Sequence, residues 1–279
     1  MKLDRTSLFS LEGRTAVITG ATGFLGRTFT NVLLENGARV IALGRSTRLD
    51  ELTADWSQRF GSERVSSFRI DMYDLTAFTR VLDGIAEREA RLDVLVNNAH
   101  ELGPDTGFNR PNGGLDGATY DEWMRNLTGG VYWAALTVER LGKVMKTAGS
   151  GSIINISTMY ALVAPDARLY AGTKFMNPPG YSASKAALLS FTRYVASFWG
   201  EYGVRANALL PGPFSNLEDQ GGNSVPAGDE FLDRLRDRTC LRRIGHAHEL
   251  AGPLLFLASD ASSYVTGHGF VVDGGWTVT

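Results

Sequence analysis

Short apolar runs rich in β-branched residues alternate with longer stretches of helical period along the chain. The apolar runs predict strands at residues 15–19, 39–43, 65–70, 92–97, 152–157, 204–210 and 270–273. The stretches between them predict helices at residues 25–36, 49–60, 75–90, 120–147, 181–202 and 248–259. This alternation predicts an α/β fold with a parallel sheet covered by helices on both faces. The near-continuous apolar strands VLV and IINI are typical of strands buried on both sides.

One predicted helix shows which of its faces is apolar. Leu75, Phe78, Leu82 and Ile85 follow one another at the spacing of a single helix face. We therefore expect these four side chains to pack against the sheet.

Two segments interrupt the alternation. Residues 162–180 hold three prolines, and the sequence Asn177-Pro-Pro-Gly cannot continue a preceding helix. Residues 212–229 are rich in Gly, Pro, Ser and Asn and lead into the charged segment FLDRLRDR. Long irregular segments inside a domain usually act as lids or binding loops, so residues 162–180 and 212–245 are candidate substrate loops. A disordered excursion is an equal alternative for residues 221–228.

Composition narrows the class of protein. The chain has 279 residues, of which 43% are hydrophobic and 21% charged, which predicts one globular domain over residues 1–279. Lys and Arg total 28 against 30 Asp and Glu, and this balance argues against a nucleic-acid partner. The single cysteine excludes an intrachain disulfide. No leader and no apolar run of about 18 residues is found, so we expect a cytoplasmic protein without a membrane partner.

The first predicted strand runs into the turn TGATGFLG, after which a helix begins. Gly20, Gly23 and Gly26 allow the backbone to turn tightly and to approach a pyrophosphate, which then lies on the helix N-terminus. The same turn supplies further candidate cofactor contacts, namely Thr22, Phe24 and Leu25. No Gly-Lys-Ser/Thr follows, which excludes a P-loop. A plain strand-to-helix turn is the alternative interpretation.

The second predicted strand ends before Gly44-Arg45-Ser46. Sites selective for NAD usually carry an acidic residue here, which would repel a 2′-phosphate. Because Arg45 and the Ser46 hydroxyl can instead hold that phosphate, we favour NADP(H) over NAD(H). The alternative is that Arg45 is a solvated loop charge.

Tyr181 and Lys185 lie four residues apart at the start of a predicted helix and so project from one face. A nearby ammonium favours a phenolate, and the pair is therefore a candidate proton donor and acceptor for a carbonyl/alcohol couple. Without other motifs, a Tyr–Lys pair at this spacing is more often a solvent-exposed pair on a helix surface than a catalytic pair.

The ordered set of motifs is more specific. TGATGFLG, Asn97-Asn-Ala-His, Asn126, INIST, YSASK, VRANALLPG and Asp273-Gly-Gly occur in the order that is found in the short-chain dehydrogenase/reductase family, which the chain resembles from about residue 11 to residue 276. The resemblance implies a single Rossmann-type domain with a doubly wound parallel sheet in three α/β/α layers. It also implies a nicotinamide cofactor and a homodimer or homotetramer.

The resemblance assigns roles residue by residue. Tyr181 corresponds to the family's acid/base, and Lys185 to the residue that lowers its pKa and binds the nicotinamide ribose. Asn126 corresponds to the asparagine that orders a water near the lysine. Thr158 takes the place of the hydroxyl that polarises the substrate carbonyl, with Ser157 as the alternative.

Further positions are expected to contact the cofactor. Asp71 and its neighbour Met72 would meet the adenine, Asn97, Asn98 and Ala99 the ribose side, and Pro211 and Gly212 the nicotinamide. No metal ligand set is expected.

Four features depart from the family pattern. The turn reads TGxxGxxG, which is typical of the extended branch, and His100 replaces the usual glycine after Asn-Asn-Ala, near the mouth of the site. The threonine customary after the Pro-Gly motif is missing, and the interval from Thr158 to Tyr181 is unusually long. We interpret the chain as a classical member with an atypical first turn, because the VDGG ending is not a feature of the extended branch.

The expected reaction is hydride transfer between NADP(H) and a carbonyl carbon, with Tyr181 passing the proton. The long insertion carries Arg168, Tyr170, Lys174, Phe175 and Met176, which suggests a sugar-like or anionic substrate. An oligomer contact is an equal interpretation of the insertion. Two other function classes stay open, namely a nucleotide-sugar epimerase or dehydratase that retains its cofactor, and an idle NADP-binding regulator.

Overall fold

A computed structural model describes residues 5–173, 176–214 and 229–279. One parallel sheet forms its centre, with strands β1 (Thr15–Thr19), β2 (Arg39–Gly44), β3 (Val65–Arg69), β4 (Val94–Asn97), β5 (Gly151–Ile156), β6 (Val204–Pro211) and β7 (Gly269–Val272). The strand order is β3-β2-β1-β4-β5-β6-β7, so the chain reverses direction across the sheet between β1 and β4. In open parallel sheets, ligands bind at the carboxyl ends of the strands beside such a switch point.

Helices cover both faces of this sheet. They are α1 (Arg5–Phe9), α2 (Phe24–Glu35), α3 (Arg48–Phe60), α4 (Leu75–Arg88), α5 (Tyr120–Leu127), α6 (Trp133–Ala148), α7 (Pro179–Trp199), α8 (Asp229–Arg238) and α9 (Ala251–Ala258). Side chains of α2, α3 and α9 form one core with the sheet, and side chains of α4, α6 and α7 form the other. The three-layer Rossmann-type fold expected from the sequence is confirmed.

Alternation along the strands explains why they read as continuous apolar runs. Val94 and Val96 belong to the core under α2, α3 and α9, whereas Leu95 between them belongs to the core under α4, α6 and α7. Because helices cover both faces of the sheet, neither the odd-numbered nor the even-numbered positions of a strand can be polar.

The structure corrects several details of the sequence pattern. The predicted helix 120–147 is interrupted by a π-turn, Thr128–Tyr132, which separates α5 from α6. Phe78, Leu82 and Ile85 are buried as expected, but Leu75 is 38% exposed, because it occupies the first position of α4 above the edge of the core. The segment FLDRLRDR forms most of α8. Residues 215–228, which include the proposed disordered stretch, lie outside the described residues.

A third irregular segment was not singled out from the sequence. Residues 98–119, between β4 and α5, contain the short 3₁₀ turns Pro104–Thr106 and Leu115–Gly117. Within the described ranges, no helix combines the length and apolar character that a bilayer crossing requires.

Candidate active site

The glycine turn lies at the carboxyl end of β1, where the chain enters α2. Gly20 has a φ of +69°, and a Cβ there would lie 2.8 Å from the Ala99 Cα. A Cβ on Gly26 would lie 2.0 Å from the Gly20 carbonyl oxygen. The turn is therefore a backbone cradle that side chains would fill, and the first amides of α2, from Phe24 onward, have no acceptors within the helix. Such a cradle fits the pyrophosphate of a dinucleotide.

Gly23, the middle glycine of this turn, is the N-cap of α2, with an extended backbone at φ −69° and ψ 168°. A Cβ there would lie 3.3 Å from the Gly20 carbonyl oxygen, which is a tighter contact than most side chains make. The contact is less severe than those at Gly20 and Gly26, and the expected role of Gly23 beside a pyrophosphate stays a prediction.

Asn98 and Ala99 attach this cradle to the end of β4. The Asn98 Nδ2 donates to the carbonyl oxygens of Thr19 at 3.1 Å and Gly20 at 3.0 Å. The Ala99 amide donates to the Thr19 hydroxyl at 3.1 Å. These bonds fix the turn against the neighbouring strand at the switch point of the sheet.

The side chain of Asn97 has a different orientation from the expected one. Its Nδ2 donates to Asn155 Oδ1 at 2.8 Å, and its Oδ1 accepts from the Thr137 hydroxyl at 2.5 Å. Asn97 is buried by these contacts with β5 and α6. Its side chain is therefore part of the polar interior of the fold.

Arg45, directly after β2, pairs with Glu101 in the segment that follows β4. Both terminal nitrogens of Arg45 donate to Glu101 Oε1 at 3.2 Å. Arg125 of α5 donates to the other oxygen, Glu101 Oε2, at 3.1 and 2.6 Å. These cations and the Tyr73 hydroxyl oppose the effect of burial, and the pKa of Glu101 is lowered. Since β2 and β4 flank β1, the Arg45–Glu101 pair spans the crevice above the glycine turn.

The other predicted cofactor positions lie along the same edge. Gly212 follows the last residue of β6, Pro211, and a Cβ there would lie 2.5 Å from the Asp273 Cα, so this position also requires glycine. Asp71 follows β3, is exposed and accepts from the Tyr73 amide at 3.0 Å. Met72 is buried in the core.

Two hydroxyl residues flank Arg45. Ser46 accepts from the Arg48 amide at 3.2 Å. A Cβ on Gly44 would meet the Thr22 side chain, so Thr22 lies beside the end of β2.

Tyr181 and Lys185 lie in the first two turns of α7, which begins at Pro179 after the Pro178 N-cap. Proline at the first helical position is favoured because no intrahelical bond is lost there. The Lys185 Nζ donates to the Ile156 carbonyl oxygen at 2.8 Å, at the end of β5. The strand end and the helix start therefore meet around this lysine.

The two candidate hydroxyls after β5 are used differently. The Thr158 hydroxyl lies close enough to the Tyr181 phenol to oppose the rise in its pKa, whereas Ser157 Oγ donates to the Lys185 backbone oxygen at 2.9 Å. Thr158 is thus the hydroxyl beside the phenol, and Ser157 ties β5 to α7.

Burial dominates the titration of the Tyr181–Lys185 pair. Burial raises the pKa of Tyr181 to about 12, with the Thr158 hydroxyl opposing the shift and Tyr170 adding to it. Burial also lowers the pKa of Lys185 to about 7. The Lys185 amine is directed at the Ile156 carbonyl oxygen, and it is not among the groups that shift the pKa of Tyr181. The expectation that the lysine lowers the pKa of the tyrosine stays a prediction.

Asn126 is held by α5 against the start of α7. Its Nδ2 donates to the carbonyl oxygens of Thr106 and Glu122, each at 2.8 Å. A Cβ on Gly180 would lie 3.0 Å from the Asn126 Cβ. The Pro-Pro-Gly sequence therefore lets the first turn of α7 pack directly on this asparagine.

Two aromatic rings flank Tyr181. His100 and Phe108 each present a ring at 5.1 Å from the Tyr181 ring, at interplanar angles of 69° and 82°. The sequence marked His100 only as a departure near the mouth of the site, and it gave no signal for Phe108, which lies in the irregular segment 98–119. Tyr160 is a further hydroxyl near this site, and burial together with the nearby Tyr170 raises its pKa.

The insertion before α7 is anchored rather than detached. Leu169 is buried with Met159 and Trp276, and Arg234 of α8 donates to the Leu169 carbonyl oxygen at 3.1 Å. Arg168 is exposed and pairs with Asp166 at 2.7 Å. Lys174 and Phe175 lie outside the described residues, and Met176 is exposed.

Comparison with known proteins places this geometry in context. A family model described as enoyl-(acyl carrier protein) reductase matches residues 20–277. The chain is 32% identical to galactitol 2-dehydrogenase (L-tagatose-forming) of Cereibacter sphaeroides, over 99% of this chain and 100% of that protein. It is 31% identical to gluconate 5-dehydrogenase of Gluconobacter oxydans, over 99% of this chain and 100% of that protein.

Solved structures give the same picture. A putative NAD(P)-dependent gluconate 5-dehydrogenase from Beutenbergia cavernae, with bound NADP at low occupancy, superposes with a TM-score of 0.83 at 32% identity. The match covers 98% of this chain and 100% of that one. The similarity therefore extends over nearly the whole length of both chains.

Proposed function

Because the chain belongs to the short-chain dehydrogenase/reductase family and is an NAD(P)(H)-dependent oxidoreductase acting on CH–OH groups, we propose that it interconverts a polyhydroxylated alcohol and its ketone with NADP(H). One observation carries this proposal. Tyr181, Thr158 and Lys185 meet where β5 ends and α7 begins, on the same carboxyl edge of the sheet that carries the glycine cradle.

The chain's own residues account for the proton and for orientation. A bound nicotinamide cofactor supplies or accepts the hydride. In reduction, the Thr158 hydroxyl and the Tyr181 phenol donate hydrogen bonds to the carbonyl oxygen, and Tyr181 gives up its proton as the alkoxide forms. A phenol with a raised pKa stays protonated until that charge develops, and the Phe108 and His100 rings exclude water from it. Lys185 and Asn126 supply the remaining polar side chains of the site.

The preference for NADP(H) rests on Arg45. Its guanidinium follows β2 beside the Ser46 hydroxyl, at the edge where a 2′-phosphate of the adenosine half is expected. A guanidinium binds phosphate oxygens with two parallel hydrogen bonds, which strengthens this interaction over that with a ribose hydroxyl. Glu101 holds Arg45 at this edge when no phosphate competes for it.

The substrate class rests on the hydroxyls of the site and on its relatives. Tyr160 and Tyr170 present phenol oxygens beside Thr158 and Tyr181, and so offer hydrogen bonds to several substrate hydroxyls. Galactitol and gluconate, named for the two relatives, are polyhydroxylated chains of this kind. A dehydrogenase is favoured over a cofactor-retaining epimerase and over an idle regulator, because those relatives are named dehydrogenases.

The test is a cofactor titration followed by a substrate panel. NADPH and NADH binding are compared by fluorescence, and galactitol, gluconate and sorbose are then assayed by the absorbance of reduced nicotinamide. Tighter NADPH binding and turnover of a panel member are expected. Cofactor binding with no net redox change across the panel would instead favour an epimerase or a regulator.

Tyr181→Phe is the decisive variant. It should bind cofactor as tightly as the wild type and lose about 10²–10⁴-fold in kcat, because positioning remains while the proton donor is gone. Tyr264→Phe, at a fully exposed position, is the matched control and should leave turnover unchanged. Undiminished turnover of Tyr181→Phe would remove the assignment.

A further inference from the structure

Glu101, in the irregular segment that follows β4, binds a different arginine with each of its two carboxylate oxygens. Its Oε1 accepts two hydrogen bonds from Arg45, which follows β2, and both are 3.2 Å long. Its Oε2 accepts two hydrogen bonds from Arg125 of α5, at 3.1 and 2.6 Å. One carboxylate is therefore shared between two guanidinium groups that come from separate elements of the fold.

The Arg125 side of this arrangement is firmly anchored. The guanidinium carbon of Arg125 lies 3.9 Å from the centre of the Tyr73 ring, which is a cation–π contact. The Tyr73 ring packs in turn against the buried Trp133 ring at 4.6 Å. The Glu101 backbone oxygen accepts from the Thr106 hydroxyl at 3.1 Å, and the Glu101 side chain is only 13% exposed. These contacts hold the carboxylate in place from one side.

Arg45 is the looser of the two partners. Its side chain is 59% exposed, against 32% for Arg125, and its hydrogen bonds to Glu101 are the longer ones. If Arg45 leaves, Glu101 keeps both of its bonds to Arg125. Release of Arg45 therefore leaves no unpaired charge inside the protein, which would be the costly result.

The charge of Glu101 makes it a competitor for Arg45. Burial opposes ionisation of Glu101, but Arg125, the Tyr73 hydroxyl and Arg45 together outweigh burial, and the pKa of Glu101 is lowered. The side chain is therefore an anion at neutral pH. The 2′-phosphate of NADP(H) is also an anion, and it binds a guanidinium through the same kind of charge-assisted hydrogen bonds. NAD(H) carries a neutral hydroxyl at that position and does not need the guanidinium.

We propose that Glu101 is a specificity-determining residue, which moderates the preference for NADP(H) by competing with the 2′-phosphate for Arg45. Binding of NADP(H) transfers the Arg45 guanidinium from the Glu101 carboxylate to the phosphate, while Arg125 keeps Glu101 paired. The apparent affinity for NADP(H) is reduced by the fraction of Arg45 that Glu101 retains. NAD(H) binds without this exchange, so its affinity does not depend on Glu101. The inference rests on the proposed function, because it takes Arg45 to be the residue that binds the phosphate.

The first test is Glu101→Gln, which removes the charge but keeps the length of the side chain and an oxygen that accepts from Arg125. Fluorescence titration measures NADPH and NADH binding without any substrate. We expect NADPH to bind about fivefold more tightly than to the wild type, because a partly exposed ion pair no longer has to be broken. NADH affinity should stay at the wild-type value. A wild-type ratio of the two affinities would overturn the proposal.

A pair of nucleotides checks that the effect belongs to the 2′-phosphate. Adenosine 2′,5′-bisphosphate and adenosine 5′-monophosphate differ only in this group, and both are measured as competitors of the bound reduced cofactor. Glu101→Gln should strengthen binding of the bisphosphate about fivefold and leave the monophosphate unchanged. An equal change for both nucleotides would contradict the competition.

Asp105→Asn is the matched control. Asp105 is a 73% exposed carboxylate of the same irregular segment, and it lies 3.9 Å from Arg125. The variant removes the same charge without touching the Arg45–Glu101 pair, so it should leave the ratio of NADPH to NADH affinity unchanged. A rise in that ratio equal to the one in Glu101→Gln would mean that overall charge, and not competition for Arg45, is responsible.

Combining Glu101→Gln with Arg45→Ala separates competition from the other ways in which Glu101 could act. Without the Arg45 guanidinium there is nothing to release, so Glu101→Gln should no longer change NADPH affinity. The same gain with and without Arg45 would mean that Glu101 repels the phosphate directly, and the exchange would be wrong. Weaker binding of both cofactors to Glu101→Gln would assign Glu101 a purely structural role.

The outcomes also distinguish this inference from the proposed function. If Arg45→Ala lowers the ratio of NADPH to NADH affinity but Glu101→Gln leaves it unchanged, the competition is wrong and the proposed preference for NADP(H) stands. If Arg45→Ala leaves the ratio unchanged, the proposed basis of cofactor preference fails, and the competition for Arg45 fails with it.

Discussion

Tyr181 and Lys185 show how strongly burial governs single residues in this site. Both groups favour their neutral forms, the tyrosine through a raised pKa and the lysine through a lowered one. Neutral side chains need no opposite charge beside them when they are buried. Each of the two can still donate or accept a proton when charge develops on a substrate. The spacing of the two residues was evident in the sequence, but the direction of the tyrosine shift was not.

The buried lysine should make stability depend on pH. Its pKa is about 10.4 in an unfolded chain and about 7 in the fold, so between these values the unfolded state binds more protons and stability rises with pH. The slope from this group is at most about 1.4 kcal/mol per pH unit. Lys185→Met removes it, so the stability of the variant relative to wild type should decline as the pH rises from 7 to 9.

Thermal unfolding without added cofactor, followed by circular dichroism at several pH values, measures this difference. Lys143→Met removes an exposed lysine of α6 and should show a pH-independent difference. A constant difference for Lys185→Met as well would mean that Lys185 is charged in the folded protein at neutral pH.

We expect Arg45 to be the residue that decides between NADP(H) and NAD(H). Arg45→Ala should weaken NADPH binding by about tenfold and leave NADH binding nearly unchanged, because only the 2′-phosphate loses a partner. The Arg45 side chain is 59% exposed, and screening by solvent limits the loss of NADPH affinity. Fluorescence titration measures both affinities, with Arg69→Ala, an exposed arginine on the neighbouring strand, as the control. An equal loss for both cofactors would assign Arg45 a structural role.

At the scale of elements, the turn between β1 and α2 depends on backbone contact rather than on side chains. Gly26→Ala should destabilise the fold by about 2 kcal/mol or more, because its Cβ would meet the Gly20 carbonyl oxygen. Cofactor binding should be lost with it. Chemical denaturation measures the first effect and fluorescence titration the second.

Gly84→Ala provides the matched control in α4. No atom lies within 4 Å of a Cβ placed there, so the variant should gain about 0.5–1 kcal/mol from the better helix former. Wild-type stability for Gly26→Ala would mean that the turn relaxes easily and is not a fixed cradle.

At the scale of the whole molecule, an exposed aromatic surface supports the expected oligomer. Tyr194 and Phe198 of α7 are each 57% exposed and stack on one another at 4.3 Å. Exposed apolar clusters of this kind usually mark an interface. We therefore predict that the wild type sediments as a dimer or tetramer of its 30.3 kDa chain and that Phe198→Asp shifts it to smaller species.

Sedimentation velocity checks this prediction, and Leu241→Asp, at an exposed position outside α7, tests whether any surface charge has the same effect. A wild-type monomer would contradict it. The seven strands of the described residues form a single sheet, which supports the proposal that residues 1–279 form one domain.

How much of the site could be predicted from the sequence depended on how far apart along the chain its interacting residues are. Tyr181, Lys185 and the glycines at 20, 23 and 26 could be proposed from the sequence because each is recognised from neighbours within a few positions. The buried contacts of the Asn97 side chain could not be, because its partners Asn155 and Thr137 come from β5 and α6. Phe108 was missed because an irregular segment has no periodicity to show which side chain turns inward.

The sequence by itself determined the strand–helix alternation, the parallel sheet, the glycine turn and the candidates for the reacting side chains, since all of these depend on local spacing and on the burial that each spacing implies. Only the tertiary structure decided which hydroxyl after β5 stands beside Tyr181, that Arg45 meets Glu101 across the crevice, and that the His100 ring is enclosed with its nitrogens unsatisfied. These contacts join residues that are far apart along the chain, and their geometry depends on how whole elements pack.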